Sequence, residues 1–221
     1  MYMESFANRN DVQRKYALQH YFKFVMYRNP LERLLSGYRS KVQRYPLVGL
    51  KDTEPHFNWL RKHIYIHKHP EGYRQWLRGR GKRAINISFS DFIDYWLTQP
   101  QDLKFDEHFR PIFKICQPCR TRFSFYANFK NFEEDTQFLV SKIGGRLEYL
   151  RDGYYTEGET THDLLPKFYG QLSNEQKRGI IQTLEIELDF YYHIFPEESD
   201  IHKKILNISD NIPLAKPRTL A

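Results

Sequence analysis

The residues from Phe22 to Lys41 constrain the fold most, because an apolar strand, a tight turn and a helix follow one another directly. Phe22–Tyr27 is almost uninterrupted apolar sequence, which is typical of a short strand buried on both faces. Pro30 suits the first position of a helix, where no N–H is needed. This strand–turn–helix unit predicts an α/β fold in which helices flank a parallel sheet.

The residues after Pro30 have the spacing of an amphipathic helix. Its predicted buried face is Leu31, Leu34, Leu35, Tyr38 and Val42, and its predicted available face is Arg33, Ser36, Arg39 and Ser40. In α/β proteins such a unit can bring an anion to the end of a sheet. Arg28 offers a guanidinium suited to phosphate, and Ser36 offers a hydroxyl. An ordinary β–α junction with an exposed Arg and a helix Ser fits the same spacing.

The size and charge of the chain restrict its class. At 221 residues it can bury one sizeable core, which predicts a single domain over residues 1–221 with an irregular tail at 208–221. The net charge of +7 indicates an acidic partner, and both nucleic acid and sulfated polysaccharide satisfy that requirement. No apolar run reaches the roughly 18 residues that cross a bilayer.

Residues 43–85 are predicted to be the least regular part of the chain. Eight Lys or Arg side chains and one acid lie between residues 61 and 83, and Gly79 and Gly81 argue against a settled helix over residues 76–83. The segment is either a solvated basic loop or a patch for a polyanion. The candidate binding residues are Arg78, Arg80, Lys82 and Arg83. Its histidines lack a cysteine or carboxylate cluster to complete a metal site, so no metal is predicted.

His108 is the best candidate for proton transfer. It has a near-neutral intrinsic pKa, and Asp106 and Glu107 beside it could orient its ring. A structural histidine that holds a loop through hydrogen bonds is the alternative. Cys116 and Cys119 are the only cysteines, and their C-x-x-C spacing fits a redox pair, half of a zinc site or a structural disulfide.

Further elements follow from caps and periodicity. Ser88 and Asp91 predict the start of a helix that stops at Gln99, and a strand is predicted over residues 122–126, with a possible edge strand at 147–150. Other helices are predicted over residues 133–142, 163–171 and 173–192, the last opened by a capping box at Ser173 and Gln176.

Several separate sequence blocks resemble the Golgi carbohydrate sulfotransferase family, in its chondroitin and dermatan 4-O-sulfotransferase branch. Arg28 opens R-N-P-x-E-R-x-x-S-x-Y, and Asp106 opens a block similar to D-E-H-W-x-P in which Phe109 replaces Trp. A C-x-P-C element and the sequence E-E-D from Glu133 follow in the same order as in that branch. The resemblance covers residues 10–195.

The resemblance implies an enzyme that moves a sulfuryl group from 3′-phosphoadenosine 5′-phosphosulfate (PAPS) to the 4-hydroxyl of N-acetylgalactosamine in a glycosaminoglycan. Arg28 and Ser36 would hold the 3′-phosphate of PAPS, and His108 is the candidate base. Cys116 and Cys119 would form a disulfide, with no metal and no nucleic acid involved. The location implied is the Golgi lumen, in a type II membrane protein, where the sequons at Asn86 and Asn207 become glycosylation sites.

The chain also departs from the pattern of its relatives. These carry a lysine-bearing loop for the 5′-phosphosulfate and a membrane anchor before the strand at Phe22, so we expect this chain to be the C-terminal part of a longer protein or a truncated gene model. They also carry Y-D-x-V-G-K-x-E where this chain has Phe123–Lys130. Two rival hypotheses are a catalytically inactive paralogue that binds glycan and a basic nucleic-acid-binding module.

Overall fold

The computed structural model describes residues 8–44, 55–78, 86–99, 106–118, 120–144, 159–199 and 205, with the backbone alone at 55–57 and 75–78. Several predicted features lie outside these ranges: Arg80, Lys82, Arg83, Cys119, the edge strand at 147–150, Asn207 and the tail at 208–221. The chain divides into two compact units, Met1–Arg28 with Ile112–Tyr154 (unit 1) and Asn29–Pro111 with Tyr155–Ala221 (unit 2). The single domain stays a prediction.

The described elements are mostly helices. In chain order they are α1 (Asp11–His20), β1 (Phe24–Tyr27), α2 (Pro30–Tyr38), a π-helical turn (Arg39–Gln43), α3 (Pro55–Lys68), α4 (Pro70–Arg78), α5 (Phe89–Thr98), α6 (Ile112–Cys116), β2 (Phe125–Asn128), a 3₁₀ turn (Phe129–Asn131), α7 (Phe132–Ile143), α8 (Thr161–Tyr169), α9 (Asn174–Ile194) and a 3₁₀ turn (Pro196–Glu198). No helix among the described residues is long and apolar enough to cross a membrane.

Unit 1 contains a parallel pair of strands. β1 and β2 run side by side in the register Phe24 to Phe125, which confirms the predicted α/β fold with a parallel sheet. The prediction that the first strand is buried on both faces is wrong, because Val25 is buried whereas Phe24 is 42% exposed. The ring of Phe125 packs on Phe138 of α7 with centroids 4.6 Å apart. The helix therefore covers this face over β2 and leaves Phe24 at its margin.

Unit 2 contains the main apolar core, formed by α2, α3, α5, α8 and α9. Every residue predicted for the buried face of the first amphipathic helix is buried: Leu31, Leu34, Leu35, Tyr38 and Val42. Tyr38 lies at the centre of an aromatic cluster, with ring centroids 5.1 Å from Phe89 and 5.5 Å from Phe92. Burial of apolar surface is the dominant favourable term in folding, and large rings such as these bury the most area per residue.

Side-chain caps set the helix starts in unit 2. The Asn29 side chain accepts a hydrogen bond from the N–H of Leu31, and Pro30 occupies the first helical position as predicted. Ser88 caps α5, and Ser173 and Gln176 form the predicted capping box of α9. Each cap satisfies backbone donors that have no partner within the helix.

The prediction that residues 43–85 lack regular structure is wrong over the described part, since α3 and α4 occupy residues 55–78. Leu60 and Ile64 are fully buried and provide the core contacts of α3, while most of the charged residues around them are exposed. Arg61 is an exception to the predicted basic patch. It is only 3% exposed and donates a hydrogen bond to the carbonyl of Lys41 at 2.9 Å.

We predict that the chain loses stability as the pH rises above about 10, the usual pKa of tyrosine. The Tyr38 hydroxyl donates to the carbonyl of Ile87 at 2.7 Å, and burial together with the charge of Asp91 raises the pKa of Tyr38 to about 12. Burial also raises the pKa of Tyr169. Between pH 10 and pH 12, the unfolded chain releases the proton of Tyr38 and the folded chain keeps it, so the unfolded state is favoured.

The measurement is urea unfolding of the wild type and of Tyr38→Phe at neutral and alkaline pH. The variant should lose about 1 kcal/mol at neutral pH through the missing hydrogen bond and should show a shallower alkaline loss. Identical alkaline slopes in the two proteins would contradict the role of Tyr38.

Candidate active site

In unit 1, the two strands of the sheet end side by side. Arg28 follows the last residue of β1, and Tyr27 pairs with Asn128 at the end of β2. The guanidinium of Arg28 lies 4.8 Å from the ring centroid of Phe129, which is a cation–π distance. The sheet end thus carries a positive charge next to an aromatic ring, at the edge where α/β proteins bind ligands.

In unit 2, the polar residues of α2 and of the π-helical turn that follows it differ in what they contact. Ser36 is half-buried. Arg39 donates to the hydroxyl of Thr161 at 3.4 Å, and the Ser40 hydroxyl donates to the carbonyl of Gly37. The prediction that Arg33 remains available is wrong. Its side chain is only 16% exposed and forms an ion pair with a buried carboxylate.

The segment Asp106–Arg110, here called the His108 turn, orients the candidate base. Asp106 Oδ1 accepts hydrogen bonds from the backbone N–H of His108 at 2.9 Å and from its Nδ1 at 2.8 Å. A ring that donates through Nδ1 can accept a proton only at Nε2. The His108 side chain is 38% exposed. Asp106 therefore orients an imidazole ring at an accessible position, as a general base would require.

Phe109 anchors the His108 turn in the core. It is fully buried, and its ring centroid lies 4.9 Å from that of Phe92. A Cβ atom on Gly37 would come within 2.7 Å of Phe109 Cε1. Only glycine therefore lets this ring sit against α2 without a shift.

Arg33 and Glu187 link the His108 turn to two helices, and we call this pair the Arg33–Glu187 clamp. Arg33 Nη1 donates to the carbonyl of Arg110 at 2.7 Å and to that of His108 at 3.4 Å. Its Nη2 lies 3.0 and 2.9 Å from the two carboxylate oxygens of Glu187 on α9. Glu187 was not among the residues predicted from the sequence, although an acid three residues after Leu184 on a buried helical face is a recognisable signal.

A second buried acid, which lies on α2, was also missed. Glu32 is 8% exposed, and its Oε1 lies 2.7 Å from Nδ1 of His162 on α8. The glutamate belongs to the E-R pair of the first sequence block, but nothing in the local pattern identifies its partner 130 residues away. Long-range pairing of this kind depends on the packing of the helices.

The remaining predicted sites stay predictions. Cys116 ends α6 and is half-buried, but its expected disulfide partner lies outside the described residues. Asn86 is exposed, as a glycosylation site requires. Arg78 ends α4, where only the backbone is described. Within the described ranges, no three His, Cys, Asp or Glu side chains are grouped to hold a metal ion.

Comparison with known protein families shows which family the chain belongs to. The model described as Sulfotransferase family matches residues 2–193. The chain belongs to the Sulfotransferase family. Its relatives include carbohydrate sulfotransferase 14 of Danio rerio, 28% identical over 59% of this chain and 32% of that protein. No solved structure matches the chain.

Two further relatives match more of the chain. Carbohydrate sulfotransferase 11 of Rattus norvegicus is 24% identical over 81% of this chain and 49% of its own length. Carbohydrate sulfotransferase 8 of Mus musculus is 26% identical over 86% of this chain and 42% of its own length. The chain thus spans at most about half the length of these relatives. The family predicted from the sequence blocks is confirmed.

Proposed function

We propose that the protein is a carbohydrate sulfotransferase that moves a sulfuryl group from PAPS to a glycan hydroxyl. One observation carries the proposal: a histidine oriented by Asp106 stands on an accessible turn in a chain that matches the Sulfotransferase family over residues 2–193. An alcohol oxygen attacks sulfur more readily when a base removes its proton. The oriented histidine therefore supports sulfuryl transfer more strongly than the family match does alone.

In the proposed reaction, Nε2 of His108 takes the proton of the acceptor hydroxyl as its oxygen bonds to sulfur. The bond between sulfur and the phosphate oxygen breaks in line, and adenosine 3′,5′-bisphosphate leaves. Following the family pattern, we assign Arg28 and Ser36 as contacts of the 3′-phosphate. A guanidinium fork suits phosphate oxygens, and a hydroxyl adds a neutral donor.

The proposed acceptor is N-acetylgalactosamine in a chondroitin- or dermatan-type glycan, sulfated at its 4-hydroxyl. The sequence blocks support this branch, and the exposed surface of α3 supports a polyanion. Trp59 is 43% exposed, and the centroid of its indole lies 5.9 Å from that of the His63 ring. Lys62, which precedes His63 in the chain, is also exposed. Aromatic rings can stack on sugars beside cations that attract sulfates and carboxylates. A Golgi location follows from the same resemblance.

The test of the function is transfer of labelled sulfate from PAPS to desulfated chondroitin by the protein expressed from its natural start. Transfer to the 4-hydroxyl is expected. Glycan binding without transfer would instead indicate an inactive paralogue. Stronger binding to DNA than to the glycan would indicate a nucleic-acid-binding module.

We predict that Arg28→Ala weakens the binding of adenosine 3′,5′-bisphosphate by about 2 kcal/mol or more, the scale of a lost charge-assisted contact. Ser36→Ala should cost about 1 kcal/mol. Isothermal calorimetry measures both. Ser40→Ala is the control, because the Ser40 hydroxyl is exposed and bonds within its own helical turn. Unchanged affinity in Arg28→Ala would remove the assignment of the 3′-phosphate contact.

We predict that neutralising the basic segment raises the KM for glycan without changing the affinity for PAPS. The variant replaces Arg78, Arg80, Lys82 and Arg83 with glutamine. Fewer cations in contact with a polyanion should also reduce the dependence of KM on salt. Initial rates at two salt concentrations measure both effects. An unaltered KM would place the glycan-binding surface elsewhere.

A further inference from the structure

The Arg33–Glu187 clamp has features that a surface ion pair lacks. Glu187 is 1% exposed, and Arg33 uses both terminal nitrogens, one on the carboxylate and one on backbone carbonyls. A buried carboxylate has a high desolvation cost unless it is paired and hydrogen-bonded. The guanidinium satisfies that need and has donors left for the turn. The clamp therefore joins α2, α9 and the His108 turn at one point.

The carbonyls that Arg33 contacts are those of His108 itself and of Arg110, two residues later. Other contacts also hold the turn. The N–H of Phe109 donates to the carbonyl of Asp106 at 3.0 Å, the N–H of Arg110 donates to the carbonyl of Glu107 at 3.4 Å, Asp106 Oδ1 accepts from the N–H of His108, and the Phe109 ring is buried. These contacts fix the shape of the turn and its depth in the core. The clamp adds a polar attachment that fixes the backbone position of the candidate base relative to α2.

We infer that Arg33 is a positioning residue for proton abstraction, and that Glu187 acts by holding the Arg33 guanidinium in the orientation that grips the His108 turn. The inference rests on the proposed function, in which His108 is the base. A general base must stay within hydrogen-bond reach of the proton that it removes. A shift of about 1 Å in a reacting group can reduce the rate on the order of a hundredfold, so a backbone attachment at the base itself affects the chemical step.

The test uses Arg33→Lys, which keeps the positive charge beside Glu187 but cannot grip two carbonyls and both carboxylate oxygens at once. The expected result is a kcat lowered about 10–100-fold with the KM for PAPS unchanged. Amide hydrogen exchange at Phe109 and Arg110 should become faster in the same variant. Glu187→Gln should have a smaller effect of the same kind, because an amide oxygen still accepts from Arg33.

Gln176→Ala is the matched control. Gln176 lies on the same helix as Glu187 and is equally part of a buried polar contact, but its side chain bonds to Ser90, Asp94 and the cap residue Ser173. Its loss should lower stability without faster exchange in the His108 turn and without a fall in kcat measured well below the melting temperature.

Two results would overturn the inference, and they differ. If His108→Ala abolishes transfer but Arg33→Lys changes kcat and exchange no more than Gln176→Ala does, the positioning role is wrong and the proposed function stands. If His108→Ala keeps full activity, the assignment of the base fails and the positioning role fails with it.

Discussion

Glu187→Ala is expected to lower the free energy of unfolding by about 3–5 kcal/mol, the cost of removing one partner of a buried ion pair. The variant leaves the Arg33 guanidinium without its carboxylate at a site where the Glu187 side chain is 1% exposed. It also creates a small cavity between α2 and α9. Urea unfolding of the wild type and the variant at neutral pH measures the change.

Glu185→Ala is the control, since Glu185 is an exposed acid on the same helix. Its effect should be within about 0.5 kcal/mol, as for most surface substitutions. The double variant Arg33→Met with Glu187→Leu should regain much of the stability, because hydrophobic replacement of both partners removes the buried charges together. A loss in Glu187→Ala as small as in Glu185→Ala would contradict the burial of the pair.

His108→Ala is expected to lower kcat for sulfate transfer by about 10²–10⁴-fold, the usual contribution of a general base. Folding should change little, because the side chain is 38% exposed and Phe109 provides the core contact of the turn. Asp106→Asn should also lower kcat, since an amide stabilises the charged ring poorly and no longer fixes the tautomer that donates through Nδ1. Initial rates at saturating PAPS and glycan measure these effects.

Glu107→Gln is the neighbouring control for these two variants. Glu107 is exposed and its carboxylate lies in the same turn. If a change in local charge alone lowers kcat, Glu107→Gln should therefore lower kcat as well. A kcat in His108→Ala equal to that of Glu107→Gln would show that another group removes the proton. Circular dichroism of each variant checks that a fall in rate is not a loss of fold.

Local signals in the sequence predicted the parts of the fold that depend on neighbouring residues. Pro30 gave a correct start for α2, and Ser173 with Gln176 gave a correct start for α9. The irregular structure predicted for residues 43–85 was wrong over residues 55–78, where Leu60 and Ile64 lie four residues apart on the buried face of a helix. Periodicity of buried positions was the better signal.

Polar contacts between distant elements could not be predicted in the same way. Arg33 has the same sequence context as an exposed helix arginine, and only the packing of α9 brings Glu187 to it. The same holds for Glu32 and His162. Contacts between residues close together in the sequence, such as His108 with Asp106, could be predicted from the sequence. Contacts that form only when distant helices pack together could not be predicted in this way.

The pairing of β1 with β2 has a consequence for synthesis on the ribosome. Lys23 and Ser124, which bond at the start of the parallel pair, are 101 residues apart in the chain. At roughly 5–20 residues per second, β1 emerges roughly 5–20 s before its partner strand. During that interval its backbone edge and the partly exposed Phe22 and Phe24 are open to other chains. Translation speed and chaperone supply should therefore affect the yield of this protein more than they would for a sheet of adjacent hairpins.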